Sequence, residues 1–262
     1  MQTIRTPAVA GMFYPANAAE LRSQVKTFLN QVHTPVAPPP KAIIAPHAGY
    51  IYSGPVAAFA YARLKAASNL ITRVVLLGPS HRVGFRGIAI SAMAAFATPL
   101  GMVAIDQEAV EQVRQLPEVG FLEQAHAQEH SLEVHLPFLQ EVLGAFKLTP
   151  LVVGDARPPQ VGAVLEALWG GPETLIVISS DLSHYHDYQT ACVMDRETSS
   201  AIEHLRFEDI SYEQACGRNP VNGLLWVARR KGLQCETLDL RNSGDTAGTR
   251  DQVVGYGAYA FH

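Results

Sequence analysis

Short apolar runs alternate with amphipathic helical patterns along the chain. Runs of β-type residues predict strands at 42–46, 73–79, 87–91, 147–154, 174–180, 235–240 and 253–261. Helical periodicity predicts helices at 17–31, 54–66, 106–115, 133–144, 159–168, 188–205 and 221–231. Several strands are apolar throughout, which is typical of a sheet buried on both faces. The pattern predicts an α/β fold, a single domain over residues 1–262 with a mainly parallel or mixed central sheet and helices on both faces. Glycines alternating in the last strand suggest antiparallel pairing there.

The composition supports this fold class and excludes several classes of partner. At 262 residues, 48% of them hydrophobic, the chain can bury a large core. A net charge of -4 gives no electrostatic case for a nucleic-acid partner. No apolar stretch approaches the ~18 residues of a membrane span, and the amino-terminal segment lacks the apolar run of a signal peptide. Three widely spaced cysteines form no CxxC pair and fit a reducing compartment, so we expect a cytoplasmic protein.

Three of the predicted strands lead into loops that carry histidine. The residues concerned are His47 and His81 after the first two strands, and Asp181 with His184 after the fifth. In open α/β sheets, ligands bind beyond the carboxyl ends of the strands, so these side chains converge if the strands are neighbours. A single loop histidine is more often a packed structural residue, but two in equivalent places favour a functional site.

Two imidazoles and a carboxylate form the ligand set of many iron(II) enzymes, which leaves positions open for oxygen and substrate. His47 and His81 are the candidate imidazoles. The candidate carboxylates are Asp181, Glu133 and Asp245. The sequence therefore predicts a divalent metal and favours iron(II), with copper and zinc as alternatives. Histidine can exchange a proton near neutral pH, so His184 is the candidate general base, and Asp181 is its candidate catalytic partner.

A second polar cluster precedes the predicted helix at 133–144. His130 and Glu133 lie three residues apart, which places them on one helical face if the helix begins early enough. They either decorate the start of that helix or orient a metal-binding histidine, and the spacing leaves both interpretations open. No GxSxG elbow is present and no cysteine neighbours a plausible base, which argues against serine or cysteine hydrolase chemistry.

Five segments, in order and spacing, resemble one known family. They are "PHAGYIYSG", "GPSH", "EHSLEVHLPFL", "SSDLSHY" and "NSGDT" followed by "VVGYGAYAF". These segments resemble the Memo-like family, whose bacterial and archaeal members are labelled component B of the AmmeMemoRadiSam group. The opening "RTPAVAGMFYP" is also similar to the family's amino terminus, so the resemblance spans nearly the whole chain. It implies a fold similar to that of class III extradiol dioxygenases, non-haem iron enzymes that open catechol-type rings.

The resemblance also implies roles for particular residues. His47 and His81 match the family's two metal-site histidines, and Asp181 and His184 match positions that line the same pocket. Animal members carry a further metal-site cysteine, which our alignment places in the loop before the last strand, opposite Thr246. A shift of one residue would bring Asp245 there and restore a two-histidine, one-carboxylate set suited to iron(II) or manganese. The candidate substrate-binding residues are Tyr50, His130, Glu133 and Thr246.

Three functions are compatible with these residues. The first is a metal-dependent oxidoreductase resembling extradiol dioxygenases and acting on an unknown small molecule, with ring cleavage implied by the fold alone. The second is a non-catalytic module that binds a protein or peptide through a vestigial metal pocket. The third is a metal-dependent hydrolase that activates water with the same ligands. No nucleic-acid or membrane partner is expected under any of them.

Overall fold

The computed structural model describes residues 4–33 and 37–262. In that part of the chain the strands are β1 (Ile4–Arg5), β2 (Ala42–Ala45), β3 (Arg73–Pro79), β4 (Ile88–Ile90), β5 (Ala95–Thr98), β6 (Gly101–Ala104), β7 (Val119–Phe121), β8 (Lys147–Val153), β9 (Thr174–Ser179), β10 (His184–His186), β11 (Cys235–Asn242) and β12 (Val253–Phe261). The α-helices are α1 (Ala18–Gln31), α2 (Tyr50–Ala62), α3 (Gln107–Val113), α4 (Glu123–Ala127), α5 (Leu136–Leu143), α6 (Pro158–Ala167), α7 (Tyr188–Glu203) and α8 (Arg218–Lys231). Short 3₁₀ helices occupy Lys65–Ala67, Glu133–His135, Phe207–Asp209 and Ser243–Asp245.

A mixed sheet forms the centre of the molecule. Its strand order is β10, β12, β2, β9, β3, β8, β4 and β7, and β11 pairs with β12. The four strands β2, β9, β3 and β8 are parallel, whereas β12 runs antiparallel to β2 and β4 runs antiparallel to β8. A separate small sheet joins β1, β5 and β6. The predicted α/β fold with a mixed sheet is confirmed, and so is the antiparallel last strand.

The central strands are buried because their sequences are apolar without alternation. Every residue of β2 and of β9 is buried, and only the first residue of β3 is partly exposed. Helices flank the sheet: α2 contacts β2 and β12, while α8 contacts β3 and β9. Burying a branched aliphatic side chain stabilises the fold by about 1.5–3 kcal/mol, so this layered core holds the carboxyl ends of the parallel strands in place. No helix among the described residues is long and apolar enough to cross a bilayer.

Three predicted helices start three or four residues away from their observed starts, and one of them, α8, begins at Arg218 rather than at residue 221. Helix α2 begins at Tyr50 rather than at residue 54, because the Gly49 carbonyl already accepts hydrogen bonds from the Tyr52 and Ser53 amides. Pro55 lies inside the helix. The predicted helix at 133–144 is a 3₁₀ turn followed by α5. The elements that the sequence did not predict, β1, β5, β6, β7, β10 and α4, are too short to show a periodicity.

Two histidines are buried in the interior as neutral rings. His126 Nε2 lies 3.1 Å from the Ala89 carbonyl oxygen, and His135 Nδ1 lies 2.6 Å from the Tyr61 hydroxyl. Burial lowers the pKa of His126 to about 4 and the pKa of His135 to about 3. Both imidazoles therefore stay neutral in the folded protein at pH values where they are protonated in the unfolded chain.

Acid should consequently favour the unfolded state. We expect the free energy of unfolding to fall as the pH drops from about 6.5 towards 4, by about 1.4 kcal/mol per pH unit for each buried histidine. Urea denaturation at several pH values measures this slope, and the variant His126→Leu should lose one histidine's share of it. The exposed His204 provides the control, because His204→Ala should leave the slope unchanged. Equal slopes in His126→Leu and the unmodified protein would contradict the prediction.

Candidate metal centre

Three loops bring polar side chains together at the carboxyl edge of the parallel strands. His47, His81 and Asp181 each lie two residues beyond the end of their strand, which is β2, β3 and β9 respectively. These strands are neighbours in the order β2, β9, β3. The ring centroids of His47 and His81 are 5.1 Å apart, and His47 Nε2 is 3.9 Å from a carboxylate oxygen of Asp181. The structure therefore gathers these three predicted site residues at one point.

A cysteine completes this group. Cys216 Sγ lies 3.3 Å from His47 Nε2, and the ligand atoms of His47, His81 and Cys216 all lie within 4.8 Å of one another. Cys216 precedes α8, and the next residue, Gly217, packs tightly against the end of β9. A Cβ atom at residue 217 would collide with the carbonyl oxygen of Ser179, so glycine lets the cysteine loop reach the centre.

The hydrogen bonds of His47 fix which of its ring nitrogens is free. The hydroxyl of Ser179 donates its one hydrogen to the Ser131 carbonyl at 2.6 Å. It can therefore only accept from His47 Nδ1, which lies 2.6 Å away. Burial, reinforced by the neighbouring imidazoles, lowers the pKa of His47 well below its usual value, so the ring is neutral. Nε2 carries the lone pair and faces Cys216, as a metal ligand requires.

His81 is oriented by a buried carboxylate. Glu129 Oε1 lies 2.9 Å from His81 Nδ1, and Oε2 accepts the His81 backbone amide at 2.6 Å. Burial alone would raise the pKa of Glu129, but the hydrogen bonds and charge of His81 outweigh it and lower that pKa to about 2. An ionised carboxylate can only accept, so Nδ1 of His81 carries a hydrogen, and Nε2 is the ring nitrogen that can give up its proton to bind a metal. This carboxylate–histidine arrangement is the one that supports metal-binding histidines.

Burial raises the pKa of two acidic groups at the centre, the buried Asp181 and the partly buried Cys216. Asp181 accepts the His47 backbone amide at 2.7 Å, and burial raises the pKa of this carboxyl group. Burial, followed by the charge of Asp181, raises the pKa of the Cys216 thiol. Cys216 is thus protonated when no cation is near and can donate its S–H to His47 Nε2. A divalent cation would reverse this, because a coordinating thiol is deprotonated by the metal charge.

Two further histidines border the centre. The His130 ring stacks on the ring of His81 at 4.6 Å and packs against Phe13 at 4.8 Å. His81, Glu129 and His130 form a second group whose ligand atoms lie within 4.8 Å of one another. His184 Nδ1 lies 2.8 Å from the Leu182 carbonyl, which fixes that nitrogen as the donor and leaves Nε2 free. His130 and His184 are therefore placed to act beside the candidate ligands.

Two predicted substrate-binding residues lie in the interior instead. The Tyr50 ring packs against Tyr14 and Phe138, and its hydroxyl donates to the Val134 carbonyl at 2.6 Å. Glu133 is fully buried and its carboxylate binds Arg5 at 2.7 Å. Neither side chain has a polar group left for a substrate, because both are committed to the core. The structure therefore places both side chains in the core rather than beside the candidate ligands, and neither ligand group among the described residues includes Glu133.

The loop before β12 also lies apart from the candidate ligands. Asp245 accepts a hydrogen bond from the Tyr188 hydroxyl at 2.7 Å and another from the Asn242 amide at 3.2 Å. The Thr246 hydroxyl donates to the Ser243 carbonyl at 3.2 Å. Among the described residues, neither of the two ligand groups includes Asp245. The structure therefore uses Asp245 and Thr246 to close a 3₁₀ turn, and it gathers a thiol rather than this carboxylate.

Two residues of the centre were not recognised in the sequence. Cys216 and His47 are 169 positions apart, so the neighbours of Cys216 in the sequence do not reveal that the fold brings its thiol to an imidazole. Glu129 stands directly before His130, but the helical spacing indicates Glu133 instead. The dipeptide Cys216-Gly217 is the one feature of the sequence that could have indicated this cysteine. A glycine at the start of a helix lets the backbone pass close to a neighbouring strand, and the preceding cysteine is carried with it.

The fold and this cluster define an α/β protein with two imidazoles and a thiol gathered at the carboxyl edge of its parallel strands, a set that could hold a metal ion. The chain belongs to the Memo-like protein family, whose model matches residues 5–260, and the resemblance of the motifs is thereby confirmed. It is similar to a MEMO1 family protein of Aquifex aeolicus, at 38% identity, and to one of Sulfolobus acidocaldarius, at 34% identity, with 97% of both chains covered in each case. A solved structure, uncharacterized protein JW3007 from Escherichia coli K12, is similar at a TM-score of 0.48 and 14% identity, covering 82% of this chain and 98% of that one.

Proposed function

We propose that the protein is a metal-dependent oxidoreductase whose metal is held by His47, His81 and Cys216. One observation carries the proposal. The unprotonated Nε2 of His47 faces Cys216 Sγ at 3.3 Å, with a ligand atom of His81 in the same group. Each histidine has its other nitrogen held by a separate partner, Ser179 or Glu129, which is how proteins prepare imidazoles for a metal.

A metal explains the group better than a metal-free thiol nucleophile does. The pair of Cys216 and His47 has the spacing of a nucleophile and its base. A catalytic cysteine, however, needs a lowered pKa, whereas burial and Asp181 raise that of Cys216. The cluster of His47, His81 and Cys216 can be reached from solvent through His81, because the side chain of His81 is 28% exposed.

The ligand set is softer than the one expected from the sequence. Two imidazoles with a thiol suit copper and zinc as well as iron, because sulfur replaces the carboxylate oxygen. The Asp181 carboxylate lies 3.9 Å from His47 Nε2 and could add an oxygen ligand to the two imidazoles and the thiol. Because iron(II) accepts oxygen ligands, we retain it beside copper and zinc. Bound iron or copper would supply one-electron chemistry and the activation of oxygen.

Residues of the chain itself would position and exchange protons. His184 donates from Nδ1 to the Leu182 carbonyl, so its Nε2 can take up a proton from a substrate. Asp181 orients the His47 loop through the backbone amide of His47. His130 stacks beside His81 and supplies a second imidazole at the same face. We propose His184 as the general base and Asp181 as its acidic partner, with His130 contacting the substrate.

Elemental analysis after anaerobic purification tests the proposal. We expect about one equivalent of iron or copper per chain, lost in His81→Ala and retained in His204→Ala, a matched histidine on the exposed end of α7. With a catechol supplied as the substrate to be oxidised, oxygen consumption should accompany the metal. Equal metal content in His81→Ala and the unmodified protein would eliminate the centre. Zinc without oxygen uptake would favour the hydrolase, and a chain without metal at micromolar supply would favour the binding module.

A further inference from the structure

We propose that a cavity beside Cys216 binds the anionic group of the substrate, a small organic anion of the carboxylate or phosphate type. The cavity has a volume of about 430 Å³ and lies between the loop after β3, the end of β8 and the start of α8. Cys216 forms part of its wall, so the cavity reaches one of the three candidate ligands. The claim that the bound anion is a substrate rests on the proposed function. The claim that the cavity binds an anion rests only on the arginines around it.

The arginines of this chain are mostly paired with carboxylates. Of fifteen arginines, ten form an ion pair within the described residues. The five without a carboxylate partner there are Arg82, Arg86, Arg157, Arg196 and Arg218. Three of these five belong to two of the segments that enclose the cavity: Arg82 and Arg86 to the loop after β3, and Arg218 to the start of α8. Because the net charge of the chain is -4, this local excess is not a general property of the surface.

Each of the three has a defined place. Arg86 lines the cavity, and Arg82 follows His81 directly in the same loop. The guanidinium of Arg218 lies 4.0 Å above the ring of Tyr212, which is itself part of the wall. One carboxylate, Asp155, also lines the cavity and balances Arg86. The excess of positive charge therefore comes from Arg82 and Arg218, which are joined to the lining only through their neighbours in the sequence and, for Arg218, through Tyr212.

These features match the recognition of a small anion with an apolar body. A guanidinium without a carboxylate partner presents a planar fork of donors that fits carboxylate and phosphate oxygens in pairs. The rings of Phe85 and Tyr212 and the Pro220 side chain provide apolar wall for the rest of the molecule. A cavity of this volume accommodates a small organic molecule rather than a polymer segment. The anionic end would therefore bind at Arg86 and Arg218, which leaves the other end facing Cys216.

Binding of two simple probes tests the proposal on the full chain. Benzoate and phenyl phosphate carry the same ring and differ only in the anionic group, so their relative Kd values identify which anion the cavity prefers. We expect one or both to bind at millimolar concentration or better, measured by calorimetry or ligand-observed NMR. Arg86→Gln and Arg218→Gln should each weaken binding by about tenfold or more, as expected for a charge-assisted hydrogen bond. Metal content should not change in either variant.

The control is Arg196→Gln, which removes another arginine without a carboxylate partner, on α7. It should leave the Kd unchanged. Absence of binding by both probes would overturn the proposal, as would equal weakening in Arg196→Gln and Arg86→Gln. Binding lost in His81→Ala but retained in Arg86→Gln would place the anion on the metal and also overturn it. If His81→Ala keeps its metal while Arg86→Gln still loses the probe, the proposed function fails and the anion site stands.

Discussion

Replacing Arg5 by methionine should lower the free energy of unfolding by about 3–5 kcal/mol, the largest loss of stability that we expect from a single side chain outside the centre. Arg5 is 5% exposed and forms an ion pair with the fully buried Glu133 at 2.7 Å. It also donates to the carbonyls of His126 and Glu129 at 2.7 and 2.6 Å. Methionine keeps the bulk but leaves Glu133 as a buried charge without its counter-ion.

Urea denaturation measures this loss, and two further variants locate its cause. Arg22→Met removes an arginine from a solvent-exposed ion pair with Glu141 and should cost less than about 1 kcal/mol. The double variant Arg5→Met/Glu133→Gln should recover part of the stability, because the uncompensated charge is gone. A loss in Arg5→Met no greater than that in Arg22→Met would show that the buried pair contributes little.

Replacing Glu129 by glutamine should weaken metal binding by about 10- to 100-fold, the effect expected when the partner of a metal-binding histidine is removed. Oε1 of Glu129 accepts hydrogen bonds from His81 Nδ1 and from the amides of His130 and Ser131. Oε2 accepts the amide of His81. Either orientation of a glutamine amide would therefore set its NH₂ group against another donor and release the ring of His81.

Metal titration of the purified protein measures this affinity, and Glu123→Gln is the matched control. Glu123 begins the neighbouring helix α4, and its carboxylate accepts from the Ser91 hydroxyl at 3.0 Å, away from the candidate ligands. Glu123→Gln should leave the metal affinity unchanged. An unchanged affinity in Glu129→Gln would mean that His81 does not need this carboxylate or does not bind the metal.

The parts of the molecule that follow local patterns could be predicted from the sequence. The buried strands are continuous apolar runs, so their positions, and the places of His47, His81 and Asp181 just beyond them, follow from the order of residues. These residues converge only if their strands are neighbours in the sheet. The βα alternation predicts parallel strands but does not give their order. Short elements such as β10 and α4 cannot be predicted, because three to five residues are too few to show a periodic pattern of apolar and polar positions.

The remaining part of the centre depends on contacts between distant segments. Glu129 and His81 are 48 positions apart, and no local spacing relates them. The spacing of three residues predicts that Glu133 and His130 share a helical face. In the structure, however, the carboxylate of Glu133 forms an ion pair with the buried Arg5. Tyr50 lies only three residues after His47 in the sequence, but it is the first residue of α2, and its ring packs against Phe138 in the core.

The distance of 169 positions between His47 and Cys216 also constrains when the centre can form. A ribosome adding about 5–20 residues per second needs roughly 10 to 30 s to make the chain between them. Until Cys216 has been made, the two candidate imidazoles have no thiol beside them. Under the proposed function, the complete ligand set would therefore form only late in synthesis or after release, and the ion would be selected from the metal supply of the cell at that stage.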